Sequence, residues 1–257
     1  MAVPQPGSLR MLPLAVIVVT GSWLAFVALF YIVREPGSIG YDYAFYRDVG
    51  ARWLADGTYY LPYQTAGPYA FTTMLDVLYP PTGLFLFVPF AVLPAVLWWL
   101  IPAAVTGYVV WTCRPSVWTV AAMLLLLAWP KATNSIVYGN TDIWMMAAVA
   151  GGLRWGWPAL LLFLKPTLAI FALVGIRHRS WWIGLAALAV VSLLQLPLWL
   201  DYVTAMRNLS IHADYSVVSI PMLLVPIVAW MARPLGVLSG VRIRRTPLGR
   251  RLAASQR

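Results

Sequence analysis

The sequence contains one cysteine, Cys113, which excludes an internal disulfide and any zinc site built from several cysteines and leaves Cys113 as an ordinary small apolar residue. Histidine is almost as scarce, with only His178 and His212. No glycine-rich phosphate loop, His-Glu-x-x-His pair or Gly-x-Ser-x-Gly elbow is present, so nothing in the chain points to nucleotide hydrolysis, a zinc hydrolase or a serine esterase. These motifs call for neither a metal nor a cofactor. Charge is the third scarcity. Only 10% of the residues are charged, eight of them are carboxylates, and lysine occurs twice, as Lys131 and Lys165.

What fills the chain is apolar: 61% of its 257 residues are hydrophobic, in several long runs. That composition defines an integral membrane protein, because such runs bury themselves in lipid. The runs are continuous and rich in Leu, Ala, Val and Trp, not short and alternating, which predicts helices and excludes a β-barrel. The net charge of +10 raises the question of nucleic acid. Its distribution answers it: Arg233, Arg242, Arg244, Arg245, Arg250, Arg251 and Arg257 follow the last apolar segment, as in a cytoplasmic tail near anionic lipid headgroups.

In chain order, residues 11–33 are uncharged after Arg10 and long enough to span, which predicts an uncleaved signal anchor with a cytoplasmic N-terminus. Residues 34–80 form the first outer loop, whose Tyr59, Tyr60, Tyr63 and Tyr69 suit either the headgroup region or a sugar-binding cleft. Residues 82–111, interrupted by Pro89, Pro94 and Pro102, read as one kinked or re-entrant crossing, with two short spans as the alternative. Residues 116–129 cross outward, 130–142 read as a short polar outer loop, and 143–153 return. Residues 156–164 and 167–176 read as a hairpin of short helices turning at Lys165-Pro166; 181–200 go out, 201–216 are an outer loop, and 217–230 return. The expected fold is thus an all-α polytopic membrane bundle of about eight transmembrane or re-entrant helices over residues 1–232. A basic, disordered cytoplasmic tail is expected at 233–257. All eight carboxylates then lie outside, while Arg10, Arg114, Arg154, Arg177, Arg179 and the seven tail arginines lie inside, as the positive-inside rule requires.

Chemistry is expected where polar residues interrupt this pattern. In the stretch from Gly40 to Asp56, a helix beginning at Asp42 aligns Phe45, Val49 and Trp53 on one apolar face with Asp42 at its head. Asp48 and Arg52, four apart, are expected to pair. Asp42 has no such partner, and a carboxylate aimed at an apolar face is either an N-cap or a group with a raised pKa of the kind found at catalytic sites. Lys165 lies within a strongly apolar run and is expected to face a cavity or an anion such as a phosphate, or to snorkel to the headgroups. Asn140, within Gly139-Asn140-Thr141-Asp142, either faces a ligand or caps the following helix. His212, in the last outer loop, is a candidate for acid–base assistance.

These residues carry a resemblance. The first span is followed by Asp42-Tyr-Ala-Phe-Tyr46 and Gly57-Thr-Tyr-Tyr60, then Tyr79-Pro-Pro81 with Pro89-Phe-Ala-Val-Leu-Pro94, Gly139-Asn140 and Leu164-Lys165-Pro166. In that order the motifs resemble the polytopic GT-C glycosyltransferases, most closely glycosyltransferase family 87 with its polyprenyl-phosphate-mannose-dependent mannosyltransferases. The resemblance implies a multi-pass plasma-membrane protein with an extracytoplasmic site. It implies transfer of a sugar, expected to be mannose, from a polyprenyl-phosphate donor to a lipid or glycan acceptor. Asp42 is the position matching the family's aspartate base, and Tyr46, Tyr79, Asn140, Lys165 and His212 are the expected substrate-binding residues. Two departures stand out: Gly139-Asn140-Thr141-Asp142 replaces the family's Gly-Gln-x-Asn, and members usually carry further spans beyond the region of Leu200, so a C-terminally shortened homologue is expected. The alternative is a non-catalytic membrane protein that binds or moves a polyprenyl lipid or scaffolds a glycosylation complex.

Overall fold

The computed structural model describes residues 8–70, 76–210 and 217–233. Among them the chain is all-helical, and its one extended pairing is an isolated bridge between Tyr69 and Leu209. The expected tail, apart from Arg233, lies outside the described residues, as does His212.

Helix α1 (Ser8–Arg34) is the only described helix that is long and apolar enough to cross a membrane by itself, and 6% of its most apolar window is buried within the protein. Three further pairs qualify if each bent pair counts as one span, giving up to four crossings by length and composition. The first is α4 (Leu84–Val92) with α5 (Leu97–Cys113), at 120°. The others are α6 (Val117–Leu127) with α7 (Pro130–Tyr138), at 71°, and α9 (Arg179–Leu194) with α10 (Leu196–Asn208), at 83°. Residues 82–111, expected as one kinked or re-entrant crossing or as two short spans, do break between α4 and α5, where Leu93 is extended ahead of Pro94, a conformation that proline imposes on its predecessor. Two sequence expectations change. Residues 130–138 are a helix, not a polar loop, with Pro130 at N1, where its missing N–H costs nothing. Residues 201–208, expected to lie in an outer loop, continue α10.

The short helix α2 (Tyr41–Asp56) and α3 (Pro62–Ala66) occupy the first loop. Helix α2 begins after Gly40 and ends at Gly57, both left-handed at φ 74°, and the Gly57 N–H caps the Trp53 carbonyl at 3.0 Å. Its buried face is Tyr43, Tyr46, Val49 and Gly50, rotated from the expected stripe; Phe45 and Trp53 are half-buried beside it. Tyr46 stacks on Phe87 of α4 at 4.9 Å and on Trp98 of α5 at 5.4 Å. Gly50 meets α4 so closely that a Cβ there would overlap the Phe87 backbone carbonyl. Gly50→Ala should therefore lift α2 from α4 and cost about 1–3 kcal/mol, an overpacking penalty readable in a thermal-unfolding assay of the purified protein.

Two other local expectations are corrected. Asp48 pairs with Arg47, not Arg52; Arg52 instead donates to the Thr58 and Tyr59 carbonyls at 3.2 and 2.9 Å. The tyrosines do not form a headgroup belt. Tyr59, Tyr60 and Tyr69 are buried, and the first two donate to the Pro80 and Tyr79 carbonyls at 3.1 and 2.7 Å, folding the loop onto its own exit. Tyr63, the exposed member, donates to Asp76. The Tyr69 N–H donates to the Asn208 carbonyl at 2.9 Å, and the Ser210 N–H to the Tyr69 carbonyl at 2.9 Å, clipping this loop to the end of α10.

Helix α8 (Asp142–Trp155) is the most buried element. It packs against α5, against α11 (Ile220–Met231), and against two 3₁₀ arms, Trp157–Leu164 and Pro166–Gly175. Lys165 is the extended residue between the arms, at φ −120° and ψ 93°.

Candidate functional site

Three chain segments far apart in sequence place polar groups at one point: the start of α2, the turn into α8 and the break between the 3₁₀ arms. The turn is held first. Gly139 ends α7 in the left-handed conformation, φ 70°, and its carbonyl accepts from the buried Trp98 indole at 2.7 Å, while Trp99 donates to the Ile136 carbonyl at 2.7 Å. The Gly40 N–H donates to the Val137 carbonyl at 2.9 Å, so the start of α2 is tied to the end of α7.

Asn140 then occupies the centre. Its Oδ1 accepts from Lys165 Nζ at 3.1 Å and from the Asp142 N–H at 3.1 Å, and its Nδ2 donates to Asp42 Oδ2 at 2.6 Å. This orientation is forced. An ammonium and a backbone N–H only donate, so they require the amide oxygen, and the amide nitrogen is left facing the carboxylate. Asn140 therefore both caps α8 and holds Asp42. The cap expected of Asp42 itself is absent, since Gly40 precedes the helix and Asp42 lies in its first turn.

Behind Asn140 lies a buried ion pair. Lys165 donates to Asp142 Oδ1, with the lysine side chain 13% exposed and the carboxylate fully buried. The other oxygen of Asp142 accepts from Ser135 at 2.8 Å and from Ser219 at 2.6 Å, both buried. The anion that Lys165 faces is thus an internal carboxylate, and two of its three N–H groups are satisfied inside the protein. Removing either serine donor leaves part of a buried charge unsatisfied, so Ser135→Ala and Ser219→Ala should each lower stability by about 1–3 kcal/mol in a denaturation assay.

On the other side, Tyr46 and Tyr79 share a hydrogen bond at 2.9 Å, and Tyr79 continues to Thr141 at 3.0 Å. Of the expected site residues, Asp42, Tyr46, Tyr79, Asn140 and Lys165 thus fall in one network, while His212 lies outside the described residues. Sequence reasoning missed Asp142, Thr141, Ser135 and Ser219 as members.

Burial raises the Asp42 carboxyl above the ordinary 3.8, against the opposing pull of the Asn140 hydrogen bond and the charges of Lys131 and Lys165. No group of three or more His, Cys, Asp or Glu residues that could hold a metal occurs among the described residues.

An apolar cavity of about 850 Å³ lies among α4, α5, α8, the first 3₁₀ arm and α9, and none of the network's polar residues lines it. Its walls include Phe85, Leu86, Ile101 and Trp144, and it shares three segments with the polar residues: Thr82 follows Tyr79, Trp144 follows Asp142, and Leu164 precedes Lys165. A hollow of this size and lining suits an apolar chain. Comparison with protein-family models, curated proteins and solved structures finds no match for the chain.

Proposed function

We propose that the protein is a multi-pass membrane glycosyltransferase of the GT-C type, carrying a sugar, in the first instance mannose, from a polyprenyl-phosphate donor to a lipid or glycan acceptor. The observation that supports it most is the convergence of Asp42, Asn140 and Lys165, from three distant segments, in one hydrogen-bonded network. Asp42 acts as general base. It takes the proton of the acceptor hydroxyl as that oxygen bonds to the anomeric carbon; the bond from that carbon to the phosphate oxygen breaks, and the polyprenyl phosphate leaves with the electron pair. The displacement inverts the anomeric centre. In this reading the site is extracytoplasmic, the termini are cytoplasmic, and the cavity takes part of the lipid chain.

A second reading, a protein that binds a polyprenyl lipid without turnover or scaffolds other enzymes, is favoured by one observation: Lys165 is already neutralised by Asp142. The test is sugar incorporation from a panel of labelled polyprenyl-phosphate sugars into lipid by membranes from expressing and non-expressing cells. Transfer only with expression supports the enzyme; donor binding without transfer on any acceptor supports the second reading; neither sinks both.

A base also predicts a pH profile. Because the Asp42 carboxyl is raised above 3.8, the acid limb of kcat/KM should have its midpoint above that value, with activity gained as pH rises through it. The stability contribution runs the other way. The folded state holds the Asp42 proton more tightly than the unfolded chain, so stability falls with rising pH between the unfolded and folded pKa values.

A further inference from the structure

The far end of α8 carries a second group of charges, away from Asp42. Arg154 lies in the last turn of α8, and Arg177 and Arg179 stand on either side of His178 at the start of α9. Packing joins these two places. Gly156 approaches His178 so closely that a Cβ on the glycine would overlap the histidine side chain, and Ser180 donates to the Trp155 carbonyl. All three arginines are exposed, and none forms an ion pair among the described residues. Arg179 opens a helix, the end at which the dipole disfavours a cation, so helix stability does not account for it.

Exposed aromatic rings surround these cations. Trp155 and Trp157 are 39% and 60% exposed, Trp182 of α9 is 54% exposed, and Tyr108 of α5 stacks on Trp155 at 6.0 Å. Tryptophan, tyrosine and arginine gathered at one level are the composition of a lipid headgroup boundary. The same two tryptophans, Trp155 and Trp157, line the apolar cavity, which follows α8 past Ala148 and Ala147 to Trp144. At about 1.5 Å of rise per residue, Trp144 and Trp155 are about 16 Å apart along the helix. Gly184 and Ala187 of α9 line it as well, and no charged residue does.

We propose that this end of the bundle binds an acidic phospholipid: the headgroup phosphate meets Arg154, Arg177 and Arg179 among the tryptophans, and one acyl chain enters the cavity along α8. Charge and shape together select the occupant. A lipid without net charge leaves the cationic cluster uncompensated, and a free phosphate leaves the apolar hollow unfilled. A ligand that joins an anion to an apolar chain answers both. The site rests on the membrane placement of the protein and not on sugar transfer, since it uses none of Asp42, Asn140 and Lys165.

The test is lipid retention, read by native mass spectrometry of protein released from nanodiscs of phosphatidylcholine mixed with phosphatidylglycerol whose acyl chain carries a diazirine. Wild type is compared with the triple change Arg154→Gln, Arg177→Gln and Arg179→Gln, with the corresponding lysine triple, and with Ala187→Phe, which fills the cavity from an exposed position. Wild type should retain phosphatidylglycerol in preference and crosslink its acyl chain within residues 144–164 or 184–191. The glutamine triple should weaken that preference by about 10- to 100-fold, the scale of three basic residues at an anionic surface, and the lysine triple should keep most of it. Ala187→Phe should abolish the crosslinks and most of the retained lipid. A preference that survives Ala187→Phe, or crosslinks confined to other segments, reduces the effect to surface attraction and overturns the site. Equal retention of the two lipids, a glutamine triple that matches wild type, or glycerol phosphate bound as tightly as the lipid overturns it too. Protein that does not enter nanodiscs overturns the membrane placement, and the site with it.

Discussion

Asp42→Asn should abolish sugar transfer while leaving donor binding intact, a loss of about 10²- to 10⁴-fold in turnover if the carboxylate is the general base. The substitution is nearly isosteric, and its amide oxygen can still accept from Asn140 Nδ2. Packing on α2 should therefore persist, and the loss would belong to the chemistry. Labelled-donor turnover measured beside equilibrium donor binding separates the two. Unchanged turnover in Asp42→Asn would remove Asp42 from the mechanism and favour a lipid-binding protein.

The largest effect on stability should come from Asp142→Ala. The carboxylate is fully buried and accepts from Lys165, Ser135 and Ser219. Deleting it leaves the Lys165 ammonium nearly buried without a counter-charge, a situation that costs about 3–5 kcal/mol. Lys165→Met alone should cost a similar amount for the mirror reason. The paired change of both residues should recover most of the loss, since a buried ion pair contributes little net stability over well-packed neutral groups of similar volume. Denaturation midpoints of the two single variants and the double close the cycle; additive losses would show that the two charges do not depend on each other.

The legible part of the site was the part that broke a local pattern. Lys165 stood out because it interrupted an apolar run, and Asp42 because it had no helical partner. Gly139-Asn140 stood out as a polar turn between apolar segments, and the structure places all three in one network. What was not legible depended on contacts between distant segments. Asp142 looked like one more outer carboxylate, Ser135 like a residue of a polar loop and Ser219 like part of the last crossing, because their roles exist only once α7, α8 and the start of α11 meet. Local rules also failed where tertiary groups outbid them. The Asp48 and Arg52 spacing suits a helical pair, but the guanidinium turned to two carbonyls just past the end of α2, where the chain has no helical donors to satisfy them. The break near Pro94 was foreseen as a kink or a re-entrant turn but its 120° angle was not, since sequence marks where proline interrupts a helix but not which way the packing then sends the chain.

The scarcity of lysine has a practical side. Reductive methylation with isotopically labelled formaldehyde converts amines and no other side chain, so a 257-residue chain of this composition yields just two lysine side-chain resonances. One of them comes from an ammonium locked against a buried carboxylate and the other from a half-exposed one. Their chemical shifts would follow ligand titration at a resolution that fourteen tryptophans and thirteen tyrosines deny to fluorescence.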